Sequence, residues 1–292
     1  MVCNAQMHAR VGMRVGLATL LAGAALGAQS GTEKRAQKLL LAAMDAARDG
    51  HYAQAVAGYR KVAKKYPSTD AALVARVRSG ETAFLGFADV ERNGPSSNRL
   101  DVVVMGDGYR LEDQNEFDDI AKACAKVFRR HKLFGEYYAY HNFIRANLRS
   151  KDQGVTGFGR TKQTALGGYI AGKVQGQVGV RAERVRAYLR EVDNNDGQVI
   201  AIVKAGSAGT GGGGIATVGG RADDTILHEW GHAFARLSDE YTVFTGHRGE
   251  ARNSVNISTS KDPLKAPSAH FVRAGVPGVG AYPGGAGRIK GV

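Results

Sequence analysis

Cysteine is nearly missing from this chain of 292 residues, which holds only Cys3 and Cys124. Cys3 lies in an N-terminal stretch that reads as a leader removed on export, which leaves one thiol and excludes an intramolecular disulfide. Stability must therefore come from packing, and from a metal if one is bound. Long apolar runs are lacking too. Val15 to Ala28 (VGLATLLAGAALGA) is the main candidate, and it is shorter than the ~20 residues that a membrane helix needs. It follows Arg10 and Arg14 without an intervening acid and ends in small residues, so residues 1–28 read as a secretory signal peptide. The mature protein is expected to be exported, periplasmic or secreted, with no stable membrane span. Acids are scarce in the first 80 residues, where twelve Lys/Arg face four Asp/Glu, so +8 of the formal +13 sits there. Aromatic interleaving is absent from that basic excess, so it reads as a solvated helical face, and no nucleic-acid partner is expected.

What is present is enough for a core. The chain is 43% hydrophobic, and its length suits one large domain or two modest ones. From Ala36 to Gly80 the pattern reads as helix, turn, helix, helix. Leu39, Leu40, Ala43 and Ala47 share a face, Asp49-Gly50 breaks the chain, and Ala53, Val56, Tyr59, Val62 and Ala63 resume the helical spacing before Pro67. Gly50, Tyr52, Ala55, Tyr59 and Pro67 resemble one copy of a tetratricopeptide repeat, so residues 29–90 are expected to form a small helical region able to dock a protein partner. The polar stretch ERNGPSSNR, residues 91–99, reads as a linker.

Strands are expected at Asp101 to Met105, Asn142 to Leu148 and Val199 to Val203. Helices are expected around Phe117, Ile120, Cys124, Val127 and Phe128, and from Val180 to Val192. The glycine-rich segment Gly209 to Gly220 reads as a short edge strand, Ile215 to Val218, flanked by glycines that allow close backbone approach; an extended peptide could add to such an edge.

The chemistry concentrates in HEWGHAFARLSDEY, His228 to Tyr241. On a helix, His228 and His232 project from one face and can place two ring nitrogens on one ion, for which zinc is the expected cofactor. Glu229 is rotated about 100° from His228, so its carboxylate flanks the metal and can act as a general base. Asp223-Asp224 suit the N-cap of this helix. Two histidines leave a catalytic zinc one protein ligand short. On a straight helix, Asp239 would lie about 10 Å beyond His232 along the axis. The helix must therefore end between His232 and Asp239, although no glycine stands there to mark the turn. Asp239 is favoured as the third ligand over Glu240, with Glu250, Asp262 and His270 as more distant candidates. Tyr241 reads either as a donor to the oxyanion or as a packing tyrosine.

These residues resemble the His-Glu-x-Gly-His-x-x-x-x-Leu-x-Asp-Glu-Tyr signature of the IgA peptidase family of zinc metallopeptidases. VVVMGDGY (Val102 to Tyr109), TALGGYI (Thr164 to Ile170) and NISTSKDPLKAP also resemble blocks of that family, in the expected order. The resemblance covers roughly residues 100–292. It implies an α/β (α+β) zincin-like domain with a mixed twisted sheet backed by the active-site helix, His228 and His232 as zinc ligands, Glu229 as catalytic base, and Asp239 or Glu240 as the remaining ligand. Ala235 and the lack of any methionine after Met105 separate the chain from metzincins. The family runs on into a basic, cysteine-containing tail, whereas this sequence stops at Val292, so it reads as truncated there. The expected function is an exported zinc endopeptidase acting on protein or peptide substrates. A non-catalytic scaffold built on the helical region is the alternative, and a zinc amidase or peptidase acting on cell-wall peptides shares every site residue.

Overall fold

The computed structural model describes residues 31–171, 176–206, 208–220, 223–240 and 254–282. Its first elements are three helices, α1 (Gly31–Arg48), α2 (Tyr52–Lys65) and α3 (Asp70–Arg78). Their shared core is Leu40, Ala43 and Ala47 against Ala55, Val56, Tyr59 and Val62, closed by Ala71 and Ala75. The inward face of α2 begins at Tyr52, while Ala53 is exposed. The turn after Asp49-Gly50 thus brings the helix in one residue earlier than the apolar spacing predicts, and the large ring takes the buried place.

A strand that the apolar pattern does not announce follows at once. β1 (Ala83–Glu91) lies inside the stretch read as helical and linker. Register shifts at Phe84/Gly86 and at Asp89/Glu91 interrupt the inward-outward alternation by which a strand shows itself in sequence. The polar stretch after it is pinned in place: the Asn93 and Gly94 amides donate to Asn142 Oδ1 at 2.8 and 3.2 Å.

β2 (Leu100–Asp107), β3 (His141–Arg149), β6 (Gln198–Val203) and β8 (Ile215–Gly219) form a parallel centre. β1 adds antiparallel to β3, and β7 (Thr210–Gly212) adds antiparallel to β8, giving a mixed sheet in the order β1-β3-β2-β6-β8-β7. A separate pair, β4 (Tyr169–Ile170) and β5 (Val178–Gly179), sits beside it. The predicted strand at Ile215 to Val218 is present, but it is an inner strand. The edge is Thr210–Gly212, because Gly213 and Gly214 both take positive φ, 60° and 82°, and fold the glycine run into a two-residue hairpin turn.

Helices cover both faces. On one, α4 (Gln114–Arg130) buries Phe117, Ala121, Cys124, Ala125 and Phe128, the spacing of a single helical stripe. Cys124 belongs to this core, and burial pushes its thiol up to about 12. The short α5 (Lys132–Glu136) follows. On the other face α6 (Ala182–Leu189) packs Val185 and Leu189 over Val103, Met105 and Val199. α7 (Thr225–Ala235) joins α4 on the first face, and α8 (Ala269–Arg273) lies in the last described segment. None of the described helices is long and apolar enough to cross a membrane.

The three N-terminal helices share this framework. Tyr59 Oη donates to the Leu85 carbonyl of β1 at 3.0 Å, and Tyr52 Oη donates to Asp118 of α4 at 2.6 Å. Arg145 of β3 pairs with the same Asp118 at 3.3 Å and donates to the Arg48 carbonyl at the end of α1. Every member of this buried group has a charged or hydrogen-bonded partner, as a polar cluster in a low-dielectric interior requires.

Candidate active site

The site helix α7 is held by its apolar side. Ile226, Leu227, Trp230 and Ala233 face the sheet and α4, and Trp230 is fully buried, its ring edge-on to Phe128 at 5.5 Å. Trp230 stands two residues from both His228 and His232, about 200° around the helix, so burying it turns both imidazoles outward. Just before the helix the Asp223 carboxylate accepts from the Thr225 amide at 3.0 Å, while the N-cap residue Asp224 makes no side-chain cap and offers its backbone carbonyl to the Leu227 and His228 amides.

The helix ends at Ala235, within the window set by the length argument. Arg236 makes the turn in the left-handed conformation, φ 57° and ψ 30°, and its amide closes back on Gly231. The chain then reverses, and Asp239 returns to the histidines. Asp239 Oδ1 lies 3.1 Å from His228 Nε2 and 3.1 Å from His232 Nε2, and the two Nε2 atoms are themselves 3.1 Å apart. Among the described residues these three are the only His/Cys/Asp/Glu group that could hold a metal ion. Glu240 turns away, its Oε1 accepting from Asn256 Nδ2 at 2.9 Å. Asp262 caps a short 3-10 turn through the Leu264 amide, His270 lies against Phe271, and neither joins the cluster. Glu250 and Tyr241 lie outside the described residues.

The donor set fits a zinc-like ion. His232 Nδ1 lies 2.6 Å from the Leu237 carbonyl oxygen, which can only accept, so Nδ1 carries the proton and Nε2 presents a lone pair. That lone pair meets the Asp239 carboxylate, whose Oδ1 is shut off from solvent and accepts no hydrogen bond from the described residues. Electron-rich atoms brought this close repel one another unless a cation lies among them. Bonds of 2.0–2.1 Å at a tetrahedral angle place neighbouring ligand atoms about 3.3 Å apart, close to the triangle observed.

Glu229 lies beside this triangle and is buried under β7. A Cβ on Gly209 would meet Glu229 Cγ at 2.5 Å, and one on Gly211 would meet His232 Cβ at 2.7 Å. Glycine in this edge strand and just before it is thus what lets the sheet close over the site helix. Burial pushes the Glu229 carboxyl up to about 7, with His232 opposing and Asp239 adding to the rise. A groove of about 1000 Å³ opens in front, lined by Gly209 to Gly213 on one side and by Thr225, His228, Glu229, His232 and Arg236 on the other.

Two sequence blocks meet at the end of β2. Asp107, at the end of β2, accepts from Thr164 Oγ1 at 2.9 Å and from the Leu166 and Gly168 amides at 2.6 and 2.8 Å. It ties the TALGGYI block to the strand. Asn256, the first residue of the NISTSKDPLKAP block, and the Leu237 carbonyl hold the returning loop; no spacing in the sequence gives their roles, which depend on a turn made by other residues.

A His-Glu-x-x-His helix against a mixed sheet, with an acid folded back onto both histidines, defines a metallopeptidase-type site. Residues 88–278 match the model of the IgA peptidase M64 family, and the chain belongs to that family. It is therefore a peptidase, a hydrolase of protein or peptide substrates. A search of curated proteins found no match.

Proposed function

We propose that the chain is an exported, zinc-dependent endopeptidase of zincin type, with His228, His232 and Asp239 as the zinc ligands and Glu229 as the general base. The convergence of two imidazole Nε2 atoms and one carboxylate oxygen at 3.1 Å beside one buried carboxylate carries this reading. Bound there, zinc would polarise the scissile carbonyl and lower the pKa of the attacking water. The rest falls to the chain's own residues. An extended substrate adds along the β7 edge, where backbone pairing gives affinity with little demand on side chains. Glu229, raised by burial toward neutral pH, takes the proton of the attacking water at its carboxylate and delivers it to the leaving amine. A bound dication would draw that carboxyl's pKa down again, which keeps it ionised at rest. Tyr241 is assigned the role of donor to the developing oxyanion.

Export rests on the basic, then apolar, then small-residue order of residues 1–28. Helices α1 to α3 are read as one tetratricopeptide-like unit that serves as a structural flank. A non-catalytic scaffold would have no use for a base buried beside the metal-binding residues. The test is metal analysis of the purified chain together with cleavage of a mixed peptide library by wild type and Glu229→Ala. One zinc per chain is expected, and loss of the base should slow cleavage by about 10²–10⁴-fold. Full cleavage by the variant would defeat the mechanism, and a wild-type protein that binds no zinc would defeat the reading.

A further inference from the structure

Asn256 stands outside the histidine-glutamate signature, yet its side chain is committed to the loop that carries Asp239. Its Oδ1 accepts from the Ser238 amide at 2.8 Å and from Ser254 Oγ at 3.2 Å. Its Nδ2 donates to the Ser238 carbonyl at 2.8 Å and to Glu240 Oε1 at 2.9 Å. An asparagine amide has two acceptor and two donor positions. All four are used, and three of them fall on Ser238 and Glu240, the two neighbours of Asp239.

The bond to the Ser238 amide reaches further. That N–H belongs to the Leu237–Ser238 peptide unit, whose carbonyl faces His232 Nδ1 at 2.6 Å. One rigid peptide plane thus links Asn256 on one side to His232 on the other. The next plane, Ser238–Asp239, is held through its carbonyl. Asn256 is anchored in turn: the Ser254 amide donates to the Ile257 carbonyl at 2.9 Å, the Ile257 amide donates to Ser254 Oγ at 3.2 Å, and the Ile257 side chain is buried.

We propose that Asn256 is a positioning residue for the metal ligands. It aims the carbonyl that fixes the His232 tautomer, sets the peptide that delivers Asp239, and holds Glu240 away so that a single acid completes the cluster. Partners at this remove from a metal set ligand orientation and affinity. The inference rests on His228, His232 and Asp239 being the ligands.

Zinc alone is the probe, and its dissociation constant for the full chain is measured by competition with a chelator, alongside thermal melting of the metal-free protein. Asn256→Ala and the isosteric Asn256→Asp should each weaken zinc binding by about 10- to 100-fold. Asn256→Asp should be the worse of the two, since it sets a carboxylate against the Ser238 carbonyl and Glu240. Metal-free melting should stay near that of wild type. Glu240→Gln should bind within about threefold of wild type, while Asp239→Ala should lose more affinity than any of them. If both Asn256 variants bind zinc like wild type while Asp239→Ala does not, the positioning role is overturned and the ligand set stands. If Asp239→Ala binds like wild type, the ligand set fails and takes the proposal with it. Should Asn256→Ala fail to fold, Asn256→Asp and Glu240→Gln still decide, because a Glu240→Gln loss as large as that of Asp239→Ala contradicts the assigned role of Glu240.

Discussion

The two halves of the site are held by different forces. His228, Glu229 and His232 ride on a helix whose opposite face is part of the core, through Ile226, Leu227 and the fully buried Trp230. Asp239 rides on a loop fastened by a handful of hydrogen bonds from His232 and Asn256. Core burial of a large aromatic is a global contribution to stability, while a few loop hydrogen bonds contribute about 1 kcal/mol each and act locally. The helix half should therefore keep its geometry without metal, and the loop half should depend on metal to complete it.

Removing the root of the helix half gives the largest expected effect. Trp230→Ala empties the space between Phe128 and the sheet and should destabilise the metal-free protein by about 3–5 kcal/mol, the range for buried large aromatics. Chemical denaturation followed by circular dichroism measures it. A loss below about 1 kcal/mol would mean that α7 is not rooted in the core and would erase the contrast between the halves.

Chelation addresses the contrast directly. Without zinc, the Ser238 amide, bonded to the Asn256 side chain, should exchange its hydrogen at least about tenfold faster, equivalent to about 1.4 kcal/mol of lost protection. The amides of Trp230 to Ala233, inside the helix, should keep their rates. Equal acceleration in both stretches would show that the halves open together.

The same division explains what could be read from the sequence. Helix geometry turns a four-residue spacing into a common face, so His228, His232 and the flanking Glu229 were legible in the letters alone. That same geometry required a chain reversal before Asp239, and Arg236 makes it. What makes up the rest of the loop was not legible. Asn256 lies 18 positions from Ser238, and no periodicity connects them. Elsewhere β2 and β6 were visible because each is a continuous apolar run, as strands buried on both faces tend to be, whereas β3 mixes its apolar residues with the buried Asn142, Arg145 and Asn147. β1 was hidden by its two register shifts, and the edge strand was displaced because Ile215 to Val218 carries the apolar residues while the true edge, Thr210–Gly212, is mostly glycine. The N-terminal helices were legible as helices from their stripes. Their attachment was not, because it runs through Tyr52, Asp118 and Arg145, polar residues far apart in the chain.

The smallest effect lies at the junction of the halves. Arg236 holds a left-handed backbone that costs a side-chain-bearing residue roughly 1–2 kcal/mol, a cost that glycine escapes. Against this, glycine loosens the unfolded chain, which takes back about 0.4–1 kcal/mol. Arg236→Gly should therefore stabilise the metal-free protein by a net of about 0.5–1 kcal/mol in the same denaturation assay, one of the few substitutions here with a favourable sign. Zinc affinity should not change, since the turn keeps its shape and the clamp on Ser238 is untouched. Arg236 also lines the groove, so a variant that gains stability and keeps its zinc but loses kcat/KM on acidic peptides alone would show that the strained position is kept for substrate contact. A destabilised variant would show instead that the Arg236 side chain, and not the backbone turn, holds the loop half to the helix half.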